Sequence, residues 1–356
     1  MRAMVVREHG EPSVLTVEAR PDPQPGAGEV RLRVRAVALN HLDLWVRRGV
    51  SGHRFPLPII PGCDVAGIID SIGDGVTGRS LGEPVLLAPG IGCGLCQACF
   101  CGRDHLCRAY GIFGETRDGG CAEFMVAPAT HLLSIPPRLS WQEAAALPLT
   151  LLTAWHMLAD RAELRPGETV LVQAGGSGVG VLSIQIARLL GARVFATVGS
   201  PEKVEAARAL GADEVIEYRK VDFLEETRRL TGKRGVDVIV DHIGAETLQR
   251  DVRALAKGGR LVICGATSGS DARFDLRHLF FKSLSILGST MGSRGELETA
   301  MRFVAQGKLR AVVDRVFAME NLPYAHAWLE ERRAFGKVLV SGFGVEPASL
   351  AAQVRD

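Results

Sequence analysis

From about residue 168 onward the chain alternates short apolar, β-branched runs with amphipathic stretches, several of them ending in glycine. The runs are TVLVQA, RVFATVG, EVIEY, VDVIVDHI and GRLVICGA. Between them lie VGVLSIQIARLLG, EKVEAARALG, a polar stretch through Arg229 and another through Ala256. Five strands separated by amphipathic helices predict a parallel, doubly wound α/β sheet. A further β segment, SLSILGST, precedes a helix, GELETAMRFVAQGKL, and two last strands near VVDRVFAM and GKVLVSGFG, which are expected to return to a first domain. That first domain spans residues 1 to about 135. Its runs MVV, EVRLRVRAVAL, GIIDSIG, EPVLLAPG and AEFMVA are broken by Gly and Pro clusters, a β-rich, barrel-like pattern. The tail after Gly344, VEPASLAAQVRD, has no evident partner.

At 356 residues, 47% hydrophobic and 23% charged, the chain has room for two ordinary globular cores. Its net charge of +2 gives no basic field for nucleic acid or anionic lipid, so any phosphate contact must be local. The most apolar stretch, 141–158, contains Gln142, Glu143, Pro148 and His156; it reads as a buried helix leading into a domain junction, not as a membrane span. Cys63, Cys121 and Cys264 are dispersed, and no leader pattern precedes the first strand. A reduced, cytoplasmic protein is expected.

The remaining cysteines are concentrated in CGLCQACFCGRDHLC. Cys93, Cys96, Cys99 and Cys107 follow a C-x2-C-x2-C-x7-C spacing that can close four thiolates around one tetrahedral zinc. An all-cysteine set leaves no open position, so one zinc there would staple the fold without reacting with substrate. Scattered buried thiols or a disulfide pair are the plainer alternative. Cys101 reads as a bystander.

After TVLVQA come Gly175, Gly176, Ser177, Gly178, Val179 and Gly180, opening a helix. Glycines at such a strand-to-helix turn let backbone amides approach a pyrophosphate. Ser177 stands where the dinucleotide pattern wants its second glycine. At the end of the next strand an NAD site would carry Asp or Glu for the ribose 2′-hydroxyl. This chain reads Thr197, Val198, Gly199, Ser200, Pro201, Glu202, Lys203. Ser200 and Lys203 suit a 2′-phosphate, so NADPH is expected. Glu202 falls in the first turn of a helix, where acids are common.

Together these features resemble the zinc-containing medium-chain dehydrogenases/reductases, and within them the quinone oxidoreductase and enoyl reductase branch. The resemblance runs over nearly the whole chain, through PGCDVAGIIDSIGDGV, the cysteine lobe, DGGCAEFMVAP, LTLLTAWHML, AGGSGVG, LGADEVIEY and ERRAFGKVLVSG. It implies a GroES-like β-barrel catalytic domain, residues 1–150 and 291–356, around a Rossmann domain, residues 151–290, with the active site in the cleft between them. The family's alcohol dehydrogenases carry a second, catalytic zinc. Its four ligand positions here hold Asn40, Cys63, Asp64 and Leu149, of which Cys63 and Asp64 alone are usual ligands, too few for a metal. Asn40 followed by Asp43 matches what the quinone reductases carry instead.

By the same resemblance, Asn40 lies near the nicotinamide, as an oxyanion donor or as a residue fixing the ribose, and His41 near the pyrophosphate. Thr153, the threonine of the family's x-T-A/G-Y/W turn, is expected to contact the cofactor. Tyr218 packs by the adenosine phosphate; Gly265, Ala266 and Thr267 border the nicotinamide, Gly288 and Ser289 contact the cofactor from the last Rossmann edge, and Lys337 reaches the dinucleotide. Trp45 stands where many quinone reductases carry tyrosine, which leaves Cys63, Asp64 or a water as proton donor. Without a Lewis acid, hydride addition to a conjugated double bond is the less demanding chemistry, because charge delocalises onto an oxygen that hydrogen bonds can hold. The expected function is NADPH-dependent reduction of an enone, enal or quinone. An alcohol dehydrogenase with an atypical metal site and a non-enzymatic NADPH-binding protein are the alternatives. The apolar run 283–290, at the end of the sheet, is expected to pair with its copy in a homodimer or larger homo-oligomer.

Overall fold

The computed structural model describes residues 1–347; most of the tail beyond Gly344 therefore lies outside the described residues. The described chain divides into two compact units, one of Met1–Leu149, Ser293–Glu298 and the described residues from Ala311 on, the other of Thr150–Gly292 and Thr299–Arg310. Among the described residues no helix is long and apolar enough to cross a membrane.

The second unit carries a six-stranded, all-parallel sheet in the order Glu214–Glu217, Arg193–Val198, Thr169–Val172, Val236–Asp241, Leu255–Ile263, Ser285–Gly288. This is the doubly wound order of a Rossmann sheet, whose strand sequence reverses between Thr169–Val172 and Val236–Asp241. Leu171, Phe195, Ile216, Ile239 and Leu261 fill the core beneath the helices. The stretch through Ala256 stops earlier than its pattern suggests. Its helix ends at Ala254, where the Lys282 ammonium donates to the carbonyls of Arg253 and Leu255 at 2.9 and 2.7 Å and satisfies the helix terminus. The apolar stretch 141–158 is broken into Trp141–Ala145 and Pro148–Trp155, followed by a π-helical turn, His156–Arg161; proline at the start of the second helix cannot extend the first. Residues 299–310, beyond the boundary expected at 290, pack in this unit. There Phe303 stacks on Trp155 with ring centroids 5.3 Å apart.

The first unit is built on a mainly antiparallel sheet in the order Val313–Ala318, Lys337–Ser341, Glu29–Ala38, Asp64–Ile72, Pro84–Leu87, Leu132–Ser134, with Phe124–Pro128 also pairing to Glu29–Ala38. The register positions the candidate site. Ala38 lies opposite Asp64 on one side and opposite Leu339 on the other, so Asn40, Asp64 and Lys337 meet at one end of the sheet. The cysteine lobe hangs between two short paired strands, Gly90–Ile91 and Gly111–Ile112.

Candidate active site

In the first unit, Asn40 precedes the helix His41–Arg48. The Asp43 carboxylate accepts from the Asn40 amide at 2.7 Å and from the Gly62 amide at 3.0 Å, tying the start of this helix to the residue before Cys63. Gly62 has φ +97°, and a Cβ there would stand 2.7 Å from Cys121 Sγ, so glycine is required at the crossing. Burial pushes Asp43 up to about 6, against the pull of the Asn40 amide and Lys337.

Asp64 is fully buried, accepting at one oxygen from the Leu149 backbone amide (2.7 Å) and at the other from Asn40 Nδ2 (2.9 Å) and Lys337 Nζ (3.0 Å). Lys337 also donates to Asn40 Oδ1 at 2.5 Å. An ammonium only donates, so it faces the amide oxygen of Asn40 and turns the amide hydrogens toward Asp64 and, at 3.4 Å, toward Cys63 Sγ. Burial, reinforced by Asp64 and Asp43, holds the Cys63 thiol well above its usual range. The structure thus gathers Asn40, Cys63 and Asp64 into one network and adds Lys337, which the sequence suggested for the dinucleotide and which here is 3% exposed. The signal in the sequence was a lysine opening the otherwise aliphatic strand KVLVS. His41 opens the helix after Asn40, partly exposed.

The lobe brings Cys93, Cys96, Cys99 and Cys107 together with their sulfurs all within 4.8 Å of one another, and leaves Cys101 exposed outside the group. The Cys96 and Cys99 sulfurs are 3.6 Å apart, close to the edge of about 3.8 Å that a tetrahedron with zinc–sulfur bonds of about 2.3 Å requires. Backbone amides assist: Leu95 N–H points at Cys93 Sγ at 3.4 Å and helps bring that thiol down to about 6. The donor set fits a zinc ion.

In the second unit, the glycine turn lies at the reversal point of the sheet. Ser177 Oγ caps the helix Gly178–Leu189 by accepting from Gly180 N at 2.9 Å. A Cβ at Gly180 would come 2.3 Å from Ala174 O, so strand and helix approach as closely as a dinucleotide turn demands. Val179 follows in the helix's first turn. Sequence reasoning missed His242, just past Val236–Asp241, whose Nε2 lies 2.9 Å from Ser177 Oγ. Desolvation keeps this imidazole below its ordinary pKa, which favours a neutral ring sharing one hydrogen bond with the serine hydroxyl. An imidazole at the carboxyl end of a buried strand was the available signal.

Ser200 Oγ is buried without a partner of full hydrogen-bond geometry among the described residues, although it lies close enough to Glu202 to hold that exposed carboxylate below its usual range. Ser289 Oγ is buried and likewise unpartnered. A bound dinucleotide would satisfy such hydroxyls. Lys203 lies in the first turn of the helix Glu202–Ala209. Tyr218 is 41% exposed, its Oη 2.8 Å from where a Cβ of Gly199 would stand. Gly265, Ala266 and Thr267 follow the strand Leu255–Ile263 and fold back on His242, whose carbonyl accepts from Thr267 N at 3.2 Å. Gly288 ends the last strand, its carbonyl bound by Arg161, and Thr153 is buried in the helix Pro148–Trp155.

Residues 26–137 match the alcohol dehydrogenase GroES-like domain family and residues 178–306 the zinc-binding dehydrogenase family. The chain is 33% identical to the acryloyl-coenzyme A reductase of Metallosphaera sedula over 96% of its own length and 100% of that protein's. The chain belongs to the medium-chain dehydrogenase/reductase superfamily. A second member of this superfamily, the quinone oxidoreductase of Rattus norvegicus, is 30% identical over 92% of the chain and 93% of its own length. A crystal structure of an NAD-dependent alcohol dehydrogenase superposes with a TM-score of 0.93 at 50% identity, covering 96% of this chain and 99% of that one. This medium-chain dehydrogenase/reductase is therefore an oxidoreductase with a GroES-like domain and a Rossmann domain.

Proposed function

We propose that the protein transfers hydride from NADPH to an α,β-unsaturated carbonyl compound, an enone or enal, or to a quinone, with a structural zinc in the cysteine lobe and no catalytic zinc. One observation carries the reading: the four positions that would hold a catalytic metal are Asn40, Cys63, Asp64 and Leu149, and they are filled by a closed network with a buried ammonium. Leu149 offers Asp64 a backbone N–H where a metal would need a ligand side chain. This donor set does not fit a catalytic zinc.

The bound nicotinamide supplies hydride; this chain's residues must orient the acceptor and hold the charge that develops on its oxygen. Of the two contacts made by the Asn40 amide hydrogens, the one to the Cys63 sulfur is weaker and is the one a substrate oxygen displaces. Burial around Asn40 strengthens such a bond. The buried Ser200 hydroxyl, which lacks a partner of full hydrogen-bond geometry among the described residues, Lys203 nearby and the absence of a carboxylate at the end of Arg193–Val198 favour NADPH over NADH. None of the eight cysteines is in a disulfide, which fits work in the reducing cytoplasm.

The test is an oxidation screen of NADPH and NADH against quinones, enals and enoyl thioesters, beside alcohol oxidation with NAD and NADP. Turnover of a conjugated acceptor with NADPH preferred is expected, and Lys203→Ala should raise the NADPH Michaelis constant about tenfold, the loss of one charge-assisted contact. Exclusive turnover of simple alcohols, abolished by a chelator that spares the lobe zinc, would make this an alcohol dehydrogenase with an unusual metal site.

A further inference from the structure

We propose that the Lys337 ammonium is the resident cation of the Asn40–Cys63–Asp64 centre, and that its presence, beyond the change of ligands, keeps a second metal out. The proposal rests on the reading of this centre as metal-free. Lysine is almost never buried unless paired, and an internal ion pair is costly to assemble. Yet Lys337 is 3% exposed, opens a strand whose next three residues, Val338, Leu339 and Val340, are fully buried, and faces a wholly buried Asp64. The register brings it there: Leu339 pairs with Ala38, and Ala38 with Asp64. Nζ then lies 2.5 Å from Asn40 Oδ1 and 3.0 Å from Asp64 Oδ2, the oxygens a divalent ion would seek, with Cys63 Sγ one hydrogen bond further on.

Shortening the side chain and removing its charge would leave an amide oxygen, a carboxylate and a thiol around a vacated position, three protein donors and one open place, the number though not the usual types of a catalytic zinc site. It would also leave two buried carboxyl groups, Asp43 and Asp64, without their neutralising cation. Both effects favour uptake of a divalent ion, and a divalent ion would draw the proton from Cys63. Lys337 is thus a positioning residue for Asn40 and a barrier to metal.

The experiment titrates cobalt(II) into zinc-loaded protein, following thiolate-to-cobalt absorption in the near ultraviolet while elemental analysis confirms that lobe zinc is retained. Wild type and Lys337→Arg are expected to take up no further ion. Lys337→Met is expected to take up about one per chain, with a thiolate band that disappears when Cys63→Ser is added. A folded Lys337→Met that gains no cobalt would overturn the inference while leaving enone turnover by wild type untouched. Wild type that binds a second ion through Cys63 would overturn both the inference and the metal-free reading, and needs no variant to fold.

Discussion

Asn40 is held from four directions: Lys337 at its oxygen, Asp64 and Cys63 at its nitrogen, and Asp43 at its backbone amide. On the proposed function, such an amide would be preorganised to hold an oxygen whose charge grows during reaction. Asn40→Ala is expected to lower kcat about 100-fold while the NADPH dissociation constant, read by fluorescence titration, changes little. Equal losses in both would assign Asn40 to cofactor binding. Asp43 gives this centre its pH dependence. Its folded pKa of about 6 lies above the unfolded carboxyl value, so the folded protein binds the extra proton below pH 6. The stability of wild type relative to Asp43→Asn should therefore fall as pH rises from about 4 to 6, by at most about 3 kcal/mol. Denaturant unfolding across that range measures it, and a flat difference would show that Asp43 is already ionised at pH 4.

At the scale of elements, the helix His41–Arg48 is fixed at both ends. Its N-terminus is bound by Asp43, and at its C-terminus the buried Arg47 and the exposed Arg48 both pair with Glu330. The helix thus carries Asn40 on a rigid support. The lobe between Gly90–Ile91 and Gly111–Ile112 has little else to order it: its α-helix, Gln97–Phe100, is four residues long and buries none of them, and a three-residue 3-10 turn, Asp104–Leu106, buries His105 alone. On the proposed reading, zinc supplies that order. Purified protein is expected to carry one zinc per chain, and Cys107→Ser to lose it with a fall in Tm on the order of 5–10 °C, whereas Cys101→Ser keeps both. Zinc retained in Cys107→Ser would reassign the ligand set.

At the scale of the molecule, the strand Ser285–Gly288 pairs on one side only among the described residues and ends the parallel sheet. The same unit exposes Leu276, Phe280 and Phe281 at 64, 61 and 71% on the helix before it. An open edge beside exposed aromatics calls for cover, and a second copy supplies it most simply. Light scattering at micromolar concentration is expected to give at least a dimer mass; a monomer would remove this expectation.

What the sequence determined by itself was local in nature. The 2-to-3.6 switch in hydrophobic period announced the parallel sheet, cysteine spacing announced the lobe, and the turn from Gly175 to Gly180 announced a helix opening on a close backbone approach, because each depends on neighbours a few residues apart. Asn40, Cys63 and Asp64 could be named as candidates, but not their bonds. Lys337 is 273 residues from Asp64 along the chain, and only the pairing of Lys337–Ser341 with Glu29–Ala38, and of that strand with Asp64–Ile72, sets the ammonium between Asn40 and the carboxylate. His242 meets Ser177 for the same reason, across adjacent strands of the sheet. Burial and charge partner decide whether a lysine is a surface cation or an internal one, and both are set by tertiary contacts that no local pattern encodes.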